Sequence, residues 1–174
     1  MKKRIILICL LGLFIFSLLF VNKNKFVDGN VLFTDDSVTS LAIFNIVPIS
    51  DTLGKRISAN DDGFLSFSVF SSSNKEIKYE IYLKPIIDSN SISFDYVKFY
   101  LTDKKSNLPV LNEVGVLGKL SKSSLNDNYK VLYTGTLKKN QTKAFDFRVW
   151  VADTYSVTNL DKNLKLVIGV RPLE

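Results

Sequence analysis

The sequence is 174 residues long, carries a formal net charge of +6 and contains one cysteine and no histidine. Three of the six net positive charges belong to Lys2, Lys3 and Arg4, and the other lysines alternate with acids, so nothing indicates nucleic-acid binding. The lack of histidine excludes imidazole zinc sites, Ser-His-Asp triads and Cys-His pairs, and the lone Cys9 excludes an intramolecular disulfide.

The first predicted element is a hydrophobic helix within residues 1–25. The apolar run at residues 5–21 follows the basic cluster, and its helical length of roughly 25 Å approaches the thickness of a bilayer core. We expect this segment to be an export signal or membrane anchor that leaves the amino terminus inside and the body outside the cell. No small-residue cleavage pattern follows it, which favours an uncleaved anchor over a signal peptidase substrate. The anchor residues predicted along it are Ile5, Leu10, Phe14, Leu18 and Val21.

Residues 26–39 are predicted to be a linker that contains a short strand at 30–34. Its apolar centre is Val31, Leu32 and Phe33. Because this strand would stand outside the main domain, it is a candidate donor strand for a neighbouring molecule.

Residues 40–174 are predicted to form one β-domain, because their apolar residues recur at every second position. The clearest strands lie at 77–83, 96–101 and 144–151, each with one face suited to a core and one to water. In the last of these, the apolar face of Phe145, Phe147, Val149 and Val151 opposes Asp146, Arg148 and Trp150.

Further strands are predicted at 40–47, 64–70, 130–137 and 164–170, separated by turns rich in Asn, Asp, Ser and Gly. No apolar stripe of helical spacing persists between them. The pattern predicts an all-β fold, an antiparallel β-sandwich of about 7–9 strands of Greek-key or jelly-roll type. A closed barrel is the alternative.

The stretch 103–129 is the least regular part of the body. It contains Pro109, Gly115 and Gly118, and an insertion of this kind is either a surface flap or a cover for a sheet edge. Within it, residues 110–120 suit either a short strand or a helical turn.

Carboxylates are the only side chains left for catalysis or metal binding. The adjacent pairs are Asp35 with Asp36 and Asp61 with Asp62, and neither belongs to a calcium-binding loop pattern. Phosphate-cradling glycine loops are absent from the sequence as well. We therefore predict no enzyme activity, no metal, no cofactor and no small-molecule substrate.

Aromatic residues on the predicted water-facing sides of two strands form a candidate ligand or interaction surface. They are Tyr96 and Tyr100 on one strand and Trp150, beside Arg148, on another. Aromatic platforms of this kind bind glycans or peptides, although the same residues also serve as cross-strand pairs.

Four segments resemble the TasA and camelysin family of Gram-positive exported β-sandwich proteins. They are Lys-Tyr-Glu-Ile-Tyr at 78–82, Tyr-Val-Lys-Phe-Tyr-Leu-Thr-Asp at 96–103, Leu-Tyr-Thr-Gly-Thr-Leu at 132–137, and Phe-Arg-Val-Trp-Val-Ala-Asp-Thr-Tyr at 147–155. The resemblance implies a non-catalytic, structural subunit of a biofilm matrix fibre at the cell surface or in secreted form, assembled by strand addition. The alternative is a membrane-tethered module that binds a glycan or a peptide.

Overall fold

The computed structural model describes residues 39–71, 73–155 and 163–173, and these ranges build two β-sheets. A single turn of helix, α1 (Asp51–Gly54), and two 3-10 turns, Phe94–Tyr96 and Leu117–Lys119, complete the regular structure of these ranges. The ten strands within them are β1 (Thr39–Phe44), β2 (Pro48–Ile49), β3 (Phe64–Phe70), β4 (Ile77–Pro85), β5 (Val97–Asp103), β6 (Gly115–Val116), β7 (Lys122–Ser123), β8 (Asn126–Leu137), β9 (Thr142–Ala152) and β10 (Leu164–Leu173).

The first sheet has the strand order β1-β10-β4-β8-β7, and the second has the order β2-β9-β5-β6 with β3 also paired to β9. All strand pairs are antiparallel except β2 with β9. Most successive strands belong to different sheets, so the chain crosses repeatedly between two layers, as in Greek-key sandwiches. The predicted antiparallel sandwich is confirmed, and all seven strands predicted within residues 40–170 are present.

The core lies between the sheets and follows the two-residue period of the sequence. On β9 the side chains of Phe145, Phe147 and Val149 are buried, and on β4 those of Tyr79 and Ile81 are buried as well. Each large apolar side chain buried in this way contributes about 1.5–3 kcal/mol. In the absence of disulfides within the described residues, this packing is what holds the two sheets together.

The outer face of β4 is more buried than predicted. In the predicted strand 77–83 the two-residue period assigns Glu80 and Tyr82 to the face suited to water, but both are only 5% exposed. Tyr82 lies across Gly169, where any Cβ would collide with its ring, and it stacks on Tyr129 with ring centroids 5.6 Å apart. The prediction failed because neighbouring strands supply a glycine and an aromatic ring that together cover the outer face.

The irregular stretch 103–129 covers sheet edges, the second of the two roles considered for it. β6 pairs with β5 at Lys98 and Phe99, and β7 pairs with β8 at Lys130 and Asn126. Residues 110–120 contain both predicted forms, the short strand β6 and the 3-10 turn Leu117–Lys119 that follows it. One edge of each sheet is therefore partly protected by this segment.

Candidate functional site

The outer edges of β1 and β3 lie next to each other on one side of the sandwich. β5 and β3 both pair with residues 145–148 of β9, so they occupy opposite edges of β9, and β3 ends the second sheet. β1 ends the first sheet. Only residues 45–47 connect β1 to β2, and β2 lies on the same side of β9 as β3. A link of three residues can pass from one sheet to the other but cannot run across the width of the sheets. The edges of β1 and β3 are therefore neighbours.

Within the described ranges β3 pairs only with β9, and we call its other edge the free edge of β3. The strand lacks the usual features that prevent pairing. Its seven residues contain no charge, proline or glycine, whereas natural edge strands are commonly blocked by lysine, proline or a bulge. β1 is likewise uncharged over its six residues. Among the described residues no backbone hydrogen bond joins β3 to any strand other than β9, or β1 to any strand other than β10.

A pocket of about 540 Å³ opens on the outer face of the second sheet. The segment after α1 forms one wall, and β3, β5 and β9 form the floor. We call it the outer-face pocket. Its lining residues are Lys55, Arg56, Ile57, Ser58, Ala59, Phe64, Tyr100, Thr102, Asn107, Asp146 and Arg148.

The floor of the outer-face pocket is rigid because hydrogen bonds hold Arg148 in place. Its Nε donates to the carbonyl oxygen of Ile57 at 2.8 Å, and its Nη1 donates to Thr102 Oγ1 at 2.9 Å. The guanidinium lies 5.3 Å from the centroid of the Phe64 ring, and its Nη2 is 3.8 Å from Asp146 Oδ2. The charges of Arg148 and Asp146 therefore largely offset each other.

The rim of the outer-face pocket carries the positive charge that remains. Lys55 and Arg56 are exposed, and within the described residues neither side chain forms an ion pair. Lys55 Nζ lies 5.6 Å from the centroid of the half-buried Tyr100 ring, a cation–π distance. The pocket thus combines an aromatic face, a fixed guanidinium and two unpaired cations.

The four residues predicted as one ligand surface separate into three environments. Tyr100 and Arg148 meet in the outer-face pocket. Tyr96 is 45% exposed and packs on Tyr155 with ring centroids 4.4 Å apart, outside that pocket. The structure does not assemble the predicted platform.

Trp150 is only 1% exposed, so the prediction that it faces water is wrong. Gly54 of α1 lies against its indole ring so closely that a Cβ at Gly54 would collide with it. The helix is held over β9 by Asp51, whose Oδ1 accepts a hydrogen bond from Lys98 Nζ at 2.8 Å. In this conformation Trp150 cannot contact a ligand.

The basic pair Lys55–Arg56 and a buried polar network on the first sheet were not predicted from the sequence. Glu80 Oε1 accepts hydrogen bonds from Ser123 Oγ at 2.6 Å and from Arg171 Nε at 3.2 Å. This network ties β7 and β10 to β4. Its members lie 43 and 91 positions from Glu80, and no local pattern signals contacts at such separations.

Several predicted residues lie outside the described ranges. These are the membrane-anchor residues Ile5, Leu10, Phe14, Leu18 and Val21 and the candidate donor residues Val31, Leu32 and Phe33. Of the helices in the described ranges, none has the length and apolar character needed to cross a bilayer. In the same part of the chain, no three His, Cys, Asp or Glu side chains cluster in a way that could hold a metal ion.

The fold belongs to the class of antiparallel β-sandwich domains, and comparisons with known proteins add only distant likenesses. No family model matches the sequence, and no curated protein is significantly similar to it. The chain is similar in structure to the pre-peptidase C-terminal domain of a collagenase from Bacillus anthracis, with 9% identity and a TM-score of 0.37 over 85% of this chain and 100% of that one.

Two further likenesses are of the same order. PliG of Aeromonas hydrophila, a periplasmic inhibitor of g-type lysozyme, has 8% identity and a TM-score of 0.33, over 83% of this chain and 96% of that one. The mosquito-larvicidal Cry4Aa toxin of Bacillus thuringiensis has 11% identity and a TM-score of 0.38, over 84% of this chain but 25% of the toxin. At TM-scores below 0.5 these likenesses assign no function to this chain.

Proposed function

We propose that this chain is a non-catalytic structural or interaction protein of the cell surface that assembles by strand addition, in the manner of a matrix fibre subunit. The observation that carries this proposal is the free edge of β3. It offers seven uncharged residues beside the edge of β1, and unpaired backbone groups along an edge bind an added strand through main-chain hydrogen bonds.

The occupant that we propose for this edge is a second copy of the chain, through residues 30–34. This segment has the sequence Asn-Val-Leu-Phe-Thr and lies shortly before β1. Its three consecutive apolar residues, Val31, Leu32 and Phe33, suit a strand that contributes side chains to a neighbour's core. The resemblance of the sequence to the TasA and camelysin family supports the same mode of assembly, and membership of that family stays a prediction.

The location proposed for the domain is the extracytoplasmic face of a bacterial membrane. Residues 5–21 would act as an uncleaved anchor, and cleavage by a signal peptidase would release the protein instead. Mass spectrometry of the protein from its native cell fraction tests this point. An intact amino terminus in the membrane fraction supports tethering, and a start near Val27 in the medium supports secretion.

Disulfide capture tests the proposed strand addition directly. Cys9→Ser is introduced into every variant, so that Phe33→Cys on one copy and Ser68→Cys on the β3 edge of another carry the only thiols. Mixing the two variants under mild oxidation is expected to give a cross-linked dimer. Ser89→Cys, in an exposed turn away from β3, is the matched control.

A lysine substitution provides the second arm of this test. Ser68→Lys places a charge on the free edge and is expected to slow concentration-dependent polymerisation, whereas Ser89→Lys leaves it unchanged. Equal cross-linking at positions 68 and 89, or equal polymerisation of the two lysine variants, would contradict the proposal.

A further inference from the structure

The outer-face pocket is a built cavity that the proposed strand addition does not use. Its volume of about 540 Å³ lies within the usual range of small-ligand sites. It lies on a sheet face and not along the edge of β3, so a ligand bound there and a strand added to that edge would occupy different surfaces.

The charges of the outer-face pocket select a negatively charged ligand. Arg148 and Asp146 offset each other in the floor, with Arg148 Nη2 3.8 Å from Asp146 Oδ2. Lys55 and Arg56 stand above them on exposed side chains, and within the described residues neither has an anionic partner. An acidic group entering the pocket would meet two cations that no carboxylate neutralises.

The remaining lining of the outer-face pocket favours a sugar ring. The half-buried ring of Tyr100 lines the pocket, and the ammonium of Lys55 lies over it, 5.6 Å from the ring centroid. A saccharide could pack its C–H face on this ring while Lys55 turns to the acidic group. Asn107 lines the same pocket and is exposed. Its side-chain amide can pair with sugar hydroxyl groups.

From these features we infer that the outer-face pocket binds an anionic saccharide, with the sugar ring on Tyr100 and its acidic group between Lys55 and Arg56. The acidic group is either a carboxylate, as in a uronic acid, or a phosphate ester. Arg148 stays in place beneath the ligand, because its Nε and Nη1 donors are already bound to Ile57 and Thr102.

Isothermal titration calorimetry of the full chain tests this inference with four probes. Trigalacturonate carries carboxylates, glucose 1-phosphate carries a phosphate, maltotriose is neutral, and triglutamate is an acidic peptide without a sugar ring. We expect one or both anionic saccharides to bind, with an affinity that falls as salt is added, and we expect neither maltotriose nor triglutamate to bind. Binding of only one of the two identifies the acidic group as a carboxylate or a phosphate, and binding of both shows that the pocket accepts either.

Three variants test whether the binding takes place in the outer-face pocket. Arg56→Gln removes one rim charge from an exposed side chain and is expected to weaken binding on the order of tenfold, and Tyr100→Ala is expected to weaken it at least as much. Lys139→Gln removes the same charge from the exposed turn before β9 and is expected to leave affinity unchanged. The inference is overturned if neither anionic saccharide binds, if triglutamate binds equally well, or if Lys139→Gln weakens binding as much as Arg56→Gln.

Discussion

Replacement of Trp150 gives the clearest test of how the outer face of the second sheet is built. Were Trp150 an exposed ligand residue, Trp150→Ala would leave the fold intact. In the structure its indole ring is 1% exposed and packs under Gly54 of α1. Removing it leaves a cavity between α1 and β9, and truncations of this size in a core cost about 3–5 kcal/mol. That loss is a large part of the 5–15 kcal/mol that typically stabilises a domain.

Trp150→Phe should behave very differently from Trp150→Ala, because two effects oppose each other. The smaller ring loses some packing, but Trp150 Nε1 is buried without a hydrogen-bond partner among the described residues. A buried unsatisfied donor costs about 1–3 kcal/mol, and phenylalanine removes it. We therefore expect Trp150→Phe to lower the free energy of unfolding by less than about 1.5 kcal/mol.

Urea unfolding followed by circular dichroism measures these changes without depending on the tryptophan signal. Trp150 is the only tryptophan in the chain, so its native fluorescence should be blue-shifted and should move to the red on unfolding. Tyr96→Ala is the control, because Tyr96 is 45% exposed and its loss should cost about 1 kcal/mol or less. Unfolding of Trp150→Ala at the wild-type urea concentration, or native emission typical of a solvated indole, would show that Trp150 is not packed under α1.

Three other predictions follow from polar groups. Glu80→Ala leaves Arg171 without its buried carboxylate partner and should lower the free energy of unfolding in urea by about 2–4 kcal/mol. Glu80→Met combined with Arg171→Met should recover much of that loss. A double-mutant cycle with no coupling energy between the two positions would contradict the buried pair. Burial raises the pKa of Tyr79 and of Tyr82 above the ordinary value of 10.0, so the folded state favours their protonated forms. The stability that this contributes is present below pH 10 and should decline as the pH rises above 10. Tyr79→Phe should flatten this decline when urea unfolding is measured at alkaline pH. It should not destabilise the protein at neutral pH, since the Tyr79 hydroxyl is buried without a partner among the described residues. An unchanged dependence of stability on alkaline pH would contradict this prediction. Hydrogen bonds, the largest effect coming from the Ser106 backbone, lower the pKa of Asp103 below 3.8. The stability that the ionised carboxylate contributes is therefore present above pH 3.8 and is lost as the pH falls through the lowered pKa. Asp103→Asn should lose less stability in acid than the wild type, measured by urea unfolding.

The two-residue period was sufficient to find the strands because both sheets have one face in a common core. Phe145, Phe147 and Val149 alternate in the sequence and are buried together. In β3 the predicted bounds 64–70 coincide with the observed strand. The two-residue strands β2, β6 and β7 were not predicted separately, because a periodic pattern needs more than one repeat to be recognised.

The environment of the outward residues could not be predicted, since it depends on segments that are remote in the sequence. Trp150 lies under α1, nearly a hundred positions earlier in the chain, and Glu80 accepts a hydrogen bond from Ser123, 43 positions later. Likewise, Tyr100 and Arg148 were both recognised from their strands. The cations Lys55 and Arg56 that complete their pocket stand in a segment with no periodic signal.

The positions of these covering segments bear on where a partner could act. α1 covers the outer face of β9 at Trp150. β7 is the edge strand next to β8 in the first sheet, and its Ser123 is hydrogen-bonded to Glu80 of β4. Neither reaches the free edge of β3. A strand added there would extend the second sheet beside Ser68 without displacing α1 or β7, and β3 itself presents no charged side chain to it. Pairing at an open edge exchanges hydrogen bonds to water for hydrogen bonds to a partner, so we expect a strand added at this edge to leave the described strands of both sheets in place.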